Sequence, residues 1–261
     1  MLTKLVLKAA ATPAFHRLRG HPVIGPLLIR ALELALRNAP TVTSDVTRGP
    51  LAGLTFELDP RMQADILTGT YEQKVHAALW DALSPGDTAF DVGSHFGYFG
   101  LVMAVRTGEP GRVVCFEPDP DNVEVLRRNV ERNAATFDHS VEVAPLALGA
   151  APDRARFSRG RHTSQGKLSD AGEVDVEVIT LDQAVERYGR PRVVKIDVEG
   201  FEQDVLLGGA SFVAERHAAF VIEIHREDLG EACSKLLEDD GYRCERFRLP
   251  GRAESYLVAR A

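Results

Sequence analysis

Phe90-Asp91-Val92-Gly93-Ser94-His95-Phe96-Gly97 joins an apolar, β-rich run, Thr88 to Val92, to a helical pattern that continues to Thr107 and stops at Gly108. A strand that ends beside an acid, turns on glycine and passes straight into a helix is the opening step of a parallel βα unit. Gly93 allows close backbone approach to a ligand, and Gly97 allows the helix start to pack tightly on the sheet. Outward from this loop the alternation repeats. Arg112 to Phe116 reads as a second strand, followed by Asp119-Pro120 as N-cap and first helical residue, then a helix with Val123, Leu126 and Val130 on one face. Val141 to Leu148 reads as a third strand. Two alternating runs, Ala155 to Ser158 and Val174 to Ile179, read as a hairpin with its tip near His162 to Gly166. Val193 to Val198 with helix Phe201 to Leu207, and Phe220 to Ile224 with a helix carrying Leu229, Cys233, Leu236 and Leu237, complete the crossovers. Tyr242 to Leu249 and Ser255 to Ala259 flank Pro250-Gly251 and close the sheet as an antiparallel pair. The expected fold is α/β, a Rossmann-like doubly wound sheet of seven strands, mostly parallel, with a C-terminal antiparallel hairpin. Ligands in such sheets lie outside the carboxyl ends of the strands, at the switch in strand order.

The 261 residues suffice for one sizeable core. Residues 1–60 are expected as an N-terminal helical extension or cap and 61–261 as the catalytic domain. In the first forty residues Lys4, Lys8, Arg17, Arg19, Arg30 and Arg37 interrupt the apolar runs, as do Pro13, Pro22 and Pro26. No stretch reaches the roughly 18 to 20 apolar residues of a spanning helix, and no cleavage site follows an apolar core. A solvated helical cap is expected there, with a lid or membrane-surface helix as the alternative. A net charge of -7 sets the average field against a phosphate-rich partner, so nucleic acid is not the first-choice substrate. Cys115, Cys233 and Cys244 have neither disulfide-framework nor zinc spacing, which fits a reducing cytoplasm.

The glycine spacing of the first loop is D-x-G-x-x-x-G and lacks the G-x-G-x-x-G that cradles a dinucleotide pyrophosphate, which disfavours an NAD-dependent oxidoreductase. A helix N-terminus offers N–H groups to an anion. A methionine carboxylate needs only that, and Asp91 would pair with the ammonium of the same amino acid. Taken alone, the loop equally fits an ordinary βα turn. Glu117, with Pro118 after it, ends the second strand some twenty residues later, where a ribose would present its hydroxyls. An ionised carboxylate accepts two hydrogen bonds at once and so matches a cis-diol.

Lys195-Ile196-Asp197-Val198-Glu199-Gly200-Phe201-Glu202 sets four charged groups around the end of the fourth crossover strand. With Leu207-Gly208-Gly209-Ala210 behind it, this stretch resembles the FkbM family of S-adenosylmethionine-dependent methyltransferases, with its K-I-D-V-E-G-x-E segment and following L-x-G-A. The resemblance runs from about Gly69 to Glu227, with the motifs in the family's order. Gly69 to Glu72 resembles its G-x-Y-E, Phe90 to Phe99 its F-D-V-G-A-N-x-G-Y-F, Phe116 to Pro120 its F-E-P-x-P, Thr180 to Asp182 its T-L-D, and Val221 to His225 its V-x-E-x-H. It implies a class I methyltransferase fold, S-adenosylmethionine as donor, and O-methylation of a natural product, sugar or glycolipid. Tyr71, Glu72, Asp91, Gly93, Ser94, His95, Gly97, Glu117, Pro118, Ala147 and Asp197 are the expected cofactor contacts. Ser94-His95 departs from the family's usual Ala-Asn; His95 either donates the same hydrogen bond or faces substrate.

Methyl transfer is an in-line displacement, so alignment of an acceptor oxygen is the main demand, and well-oriented reactions reach effective molarities of about 10⁵ to 10⁸ M. An alcohol also gains from a base, worth roughly 10² to 10⁴ in rate. Asp197 and His225, with Glu223 beside the latter, are the expected catalytic groups; His225 has a suitable pKa range. A Mg2+ ion held by Asp197, Glu223 and His225 is the less favoured alternative, and no residue is assigned as a metal ligand. The expected partner is a small-molecule acceptor; a homodimer is allowed. N-methylation of a small molecule or peptide and a non-catalytic cofactor-binding scaffold are the competing functions. A nucleic-acid amine methyltransferase would show Asn/Asp-Pro-Pro-aromatic where Asp197-Val198-Glu199-Gly200 stands.

Overall fold

The computed structural model of the chain describes residues 12, 14–15, 18, 21, 24–36, 41–59, 66, 69, 71–137, 141–158, 167–168, 172–250 and 252–261. The chain divides into two compact units, Met1–Gln73 and Lys74–Ala261. The first holds helix α1 (Ile24–Leu36) and the antiparallel pair β1 (Val42–Asp45) and β2 (Thr55–Leu58), where the sequence suggested a helical extension or cap. Its hairpin register sets Asp45 opposite Thr55, whose hydroxyl donates to the Asp45 carboxylate at 2.6 Å. No helix among the described residues is long and apolar enough to cross a membrane.

The second unit runs from α2 (Gln73–Ala82) through β3 (Thr88–Val92), α3 (Tyr98–Thr107), β4 (Arg112–Phe116), α4 (Pro120–Arg132), α5 (Ala134–Phe137) and β5 (Val141–Ala144). There follow β6 (Ala147–Leu148), β7 (Asp153–Ser158), β8 (Lys167–Leu168), β9 (Val174–Ile179), α6 (Leu181–Tyr188), β10 (Val193–Ile196), α7 (Glu202–Leu207) and α8 (Ala210–Ala214). The chain ends with β11 (Ala219–Ile224), α9 (Glu227–Asp239), β12 (Arg243–Arg248) and β13 (Ser255–Arg260). Among the described residues the main sheet has seven strands in the order β12-β13-β11-β10-β3-β4-β5. Strands β3, β4, β5, β10 and β11 are mutually parallel and β13 is antiparallel to both neighbours, as the sequence leads one to expect. The order reverses between β3 and β10, which makes their carboxyl ends the crevice of this sheet.

Alternation fixes the two faces. Phe90, Val92, Val114, Phe116, Val194, Ile196, Phe220 and Ile222 point into one apolar layer completed by α6, α7, α8 and α9. Phe90 and Phe116 meet edge to face at 5.2 Å, a geometry worth about 0.5 to 1.5 kcal/mol beyond area burial. On the opposite face the register sets Cys115, Asp91, Lys195 and Val221 side by side. Two of the helices start on side-chain caps. Asp119 accepts the Asp121 N–H at 3.0 Å with Pro120 at the first helical position, and Thr180 with Gln183 forms a capping box on α6.

The expected third strand, Val141 to Leu148, is broken. Pro145 has no N–H to continue a ladder, the Leu146 N–H turns back to Ala144 O at 2.8 Å, and Ala147–Leu148 pairs with β9 in a separate sheet of order β6-β9-β7-β8. The expected hairpin is present as β7 against β9; its tip, His162 to Gly166, lies outside the described residues.

Candidate active site

Two strand ends and one turn build the crevice. The Gly93 and Ser94 N–H groups both donate to Phe116 O at 3.0 Å, and the Gly97 N–H donates to Ser94 O at 2.8 Å. The Ser94 hydroxyl donates to Asp91 O at 2.7 Å. The Gly93 and Ser94 N–H groups therefore tie the loop to the end of β4, and the other two bonds close the loop on itself. Gly93 has φ 79°, and a Cβ there would fall 1.8 Å from Asp197 O, so the loop crosses the end of β10 at a distance that only glycine allows.

His95 also takes a left-handed conformation, φ 51°, which aims its N–H at Glu117 Oε2, 2.7 Å away. Asn and His are among the non-glycine residues enriched in that region. Burial lowers the His95 imidazole to about 4, so it is neutral at ordinary pH. Glu117 Oε1 accepts the Asp119 N–H at 3.0 Å and Asn122 Nδ2 at 3.3 Å. Burial raises this carboxyl to about 7 despite the hydrogen bonds from Asp119, His95 and Asn122. A carboxyl aimed by three N–H donors, with one acceptor position to spare at the end of β4 beside the switch point, fits a hydroxyl of a nucleoside's cis-diol.

Asp91 is fully buried, and neither carboxylate oxygen has a hydrogen-bond donor. It lies on the face covered by α3. Lys195 Nζ, 3.4 Å away, is the cation beside it, where the sequence suggested a ligand ammonium. Burial raises the Asp91 carboxyl, and Lys195 opposes the rise. The same ammonium donates to Gly93 O and to Asp197 Oδ2, both at 3.3 Å.

Beyond β10 the chain turns through Glu199 (φ 53°) and Gly200 (φ 106°) into α7. That turn returns the Glu202 side chain toward β11. Glu202 is fully buried; its Oε1 accepts the Gly200 N–H at 2.9 Å and lies 2.7 Å from His225 Nδ1. His225 Nε2 faces Asp197 Oδ1 and Glu199 Oε2, each at 3.6 Å. Burial alone would lower the imidazole, but the Glu202 hydrogen bond and the Asp197 and Glu199 charges outweigh it and raise His225 to about 9. Burial would raise Asp197, yet Lys195 and His225 hold it below the usual carboxylate range. Glu199 is raised to about 7, by burial first and, against His225, by the charges of Asp197 and Glu202.

The structure thus sets Asp197 beside His225 and adds Glu199 and Glu202 to them. The signal was the K-I-D-V-E-G-x-E spacing, which places acids on both sides of a glycine turn. Glu223 sits in β11 opposite Tyr256, and the carboxylates that converge on His225 are those of Glu202, Asp197 and Glu199. Pro118 is half-buried beside Glu117. Ala147 packs its methyl with Phe157, Val176 and Val178 of the smaller sheet. Tyr71 and Glu72 belong to the first unit.

Residues 91–244 match the family described as the methyltransferase FkbM domain. The hexuronic acid methyltransferase AglP of Haloferax volcanii is 30% identical, over 72% of this chain and 77% of AglP. The AMB antimetabolite synthetase AmbE of Pseudomonas aeruginosa is 29% identical, over 61% of this chain and 10% of its own length. The crystal structure of an FkbM methyltransferase from Methylobacillus flagellatus KT superposes with a TM-score of 0.54 at 22% identity, covering 68% of this chain and 44% of that one. The present chain therefore spans less than half of that protein.

Proposed function

Because the chain belongs to the FkbM methyltransferase family, and so is an S-adenosylmethionine-dependent enzyme, we propose that it O-methylates a hydroxyl of a small polyhydroxylated acceptor, in the first place a sugar acid. The donor supplies a methyl group on a sulfonium, open to in-line attack by an oxygen. Glu117 holds the ribose diol, and the loop of Gly93, Ser94, His95 and Gly97 forms the wall beside it. Asp197, Glu199 and His225 meet the acceptor at the neighbouring strand ends. The observation that carries this reading is the imidazole of His225, half-buried and held from behind by Glu202, with two carboxylates in front of it. Such a cluster binds a hydroxyl and orients it; His225, at about 9, keeps its own proton at neutral pH, so a facing carboxylate, Asp197 or Glu199, takes the hydroxyl proton, and a base so placed adds roughly 10² to 10⁴ in rate.

Two further points support a small acceptor. The net charge of -7 sets the average field against a phosphate-rich partner, and AglP is named for a hexuronic acid. The test is mass spectrometry of a panel of hexuronic acids, neutral sugars and hydroxylated small molecules incubated with the protein and a trideuteromethyl donor. A 17 Da gain, about three deuteriums and a carbon in place of one proton, on a hydroxyl-bearing compound is expected to depend on the chain and on Asp197. Label appearing only on amines, or Asp197→Asn turning over normally, refutes the assignment.

A further inference from the structure

We propose that Asp197, Glu199 and His225 bind one divalent first-row cation, with Glu202 as the carboxylate behind the histidine; the cation's role in methyl transfer rests on the activity proposed above. One donor atom from each of the three lies within 4.8 Å of the others. Asp197 Oδ1 and Glu199 Oε2 are each 3.6 Å from His225 Nε2. That is too long for a hydrogen bond. Around an ion with bonds of about 2.1 Å, neighbouring donors stand about 3.0 to 3.4 Å apart, so the two 3.6 Å separations need a small contraction, and any pair nearer the 4.8 Å limit a rotation of its carboxylate.

Acidic groups meet by chance on many surfaces. What differs here lies behind the histidine. Glu202 Oε1 at 2.7 Å fixes the Nδ1 side of the ring and leaves Nε2 to face the two carboxylates, the carboxylate–histidine arrangement that orients metal-binding imidazoles. Independently, Glu202 Oε2 is fully buried and has no hydrogen-bond partner. Leaving a carboxylate oxygen so is costly unless positive charge stands close by. Asp197, Glu199 and Glu202 surround one imidazole, and Lys195 is shared with buried Asp91. Lys195 and a protonated His225 together set two positive charges against Asp91, Asp197, Glu199 and Glu202, and a dication that takes the place of the His225 Nε2 proton adds to them.

The donor chemistry narrows the ion. Two carboxylate oxygens with one imidazole nitrogen suit Mn2+, Fe2+ or Zn2+ better than Ca2+ or a thiolate-seeking ion. Asp197 and Glu199 keep 27% and 28% of their side chains exposed, so the site is open on one side. A hydroxy acid would approach there with two oxygens, and a cation would draw its hydroxyl in and ease the loss of its proton.

Mn2+ titrated into the full chain and followed by the loss of its free-ion paramagnetic resonance signal tests this directly. One bound ion per chain is expected, lost in Glu199→Gln and weakened 10- to 100-fold in Glu202→Gln. Circular dichroism and S-adenosylhomocysteine calorimetry establish that each variant is folded. No bound Mn2+ at millimolar ion, or undiminished binding by folded Glu199→Gln, overturns the site. Methyl transfer at full rate in chelator without bound Mn2+ also rejects the cation while leaving the enzymatic reading intact. Bound Mn2+ with no acceptor methylated upholds the site and rejects the proposed acceptor class.

Discussion

S-adenosylhomocysteine should bind this protein more weakly in mild acid, and the cause is Glu117. In the free protein burial raises this carboxyl to about 7, whereas accepting a ribose hydroxyl in addition to its three N–H donors requires it ionised. Binding then has to displace a proton at any pH below 7. With a free pKa of about 7, the apparent dissociation constant scales as one plus the proton occupancy ratio. It is therefore about tenfold larger at pH 6 than at pH 8 and about thirtyfold larger at pH 5.5, or roughly 1.4 and 2 kcal/mol. An ordinary surface glutamate would give no change over that range. His95, at about 4, stays neutral throughout and adds nothing. The same shift has a stability consequence of fixed sign. A carboxyl whose folded pKa lies above its unfolded value makes the free fold lose stability as pH rises from about 4.5 to about 7, so the ligand's thermal stabilisation grows across that window. Isothermal titration calorimetry between pH 5.5 and 8.5 reads the slope, and Glu117→Gln serves as the control. It should bind 10- to 100-fold more weakly at pH 8, through the loss of a charged acceptor worth about 1.5 to 3 kcal/mol, and without the slope. Equal affinity at pH 6 and pH 8, or a slope that survives in Glu117→Gln, refutes the assignment of Glu117 to the ribose.

Gly93→Ala should cost about 2 to 4 kcal/mol or abolish folding, because its Cβ would meet backbone, Asp197 O, at 1.8 Å. Gly97→Ala, with φ 93° but only the end of the Leu126 side chain 2.3 Å from the new Cβ, should cost about 1 to 2 kcal/mol; urea denaturation showing the reverse order refutes the reasoning. Lys195→Met removes the cation beside buried Asp91 and should cost about 3 kcal/mol at pH 8. The deficit should shrink toward pH 5, because a carboxyl raised further in the fold is neutral there, and a pH-independent deficit contradicts this. Asp182→Ala should lower stability by about 1 to 2 kcal/mol in a thermal melt without changing ligand affinity, since Asp182 caps α8 through the Ser211 and Phe212 N–H groups at 3.1 and 2.9 Å.

That last case shows what a motif can hide. Thr180-Leu181-Asp182 reads as a family signature, yet its polar residues cap two helices and touch no part of the crevice described above. Much of the fold was legible because acids, glycines and Asp-Pro punctuate runs of clear period, and Thr88–Val92 and Arg112–Phe116 fall where the pattern puts them. The third strand was not, since an apolar run carries on past Pro145 although the ladder cannot. At the site, strand-end acids and His225 were visible as types at positions. The pairing of Glu202 with His225 was not, for it spans 23 residues and depends on the left-handed turn at Glu199 and Gly200. Nor could spacing reveal that the N–H groups of Gly93 and Ser94 both close on Phe116 O, because that bond belongs to the neighbouring strand.

Lys195 joins the two halves of the crevice, and the sheet register explains why it stands there. Residues two apart on a strand share a face, so Lys195 and Asp197 project together, and the pairing of Lys195 with Asp91 sets the ammonium between both acids. A slip of one residue in β10 would turn Lys195 into the layer of Phe90, Val114 and Phe220, and bring Val194 and Ile196 against Asp91. Burying an ammonium there without a partner costs several kcal/mol, which excludes the slipped register. The K-I-D triplet therefore acts twice. Its charge locks β10 against β3, and that lock delivers Asp197 beside the glycine turn, where Asp197 O fills the space a Cβ on residue 93 would need.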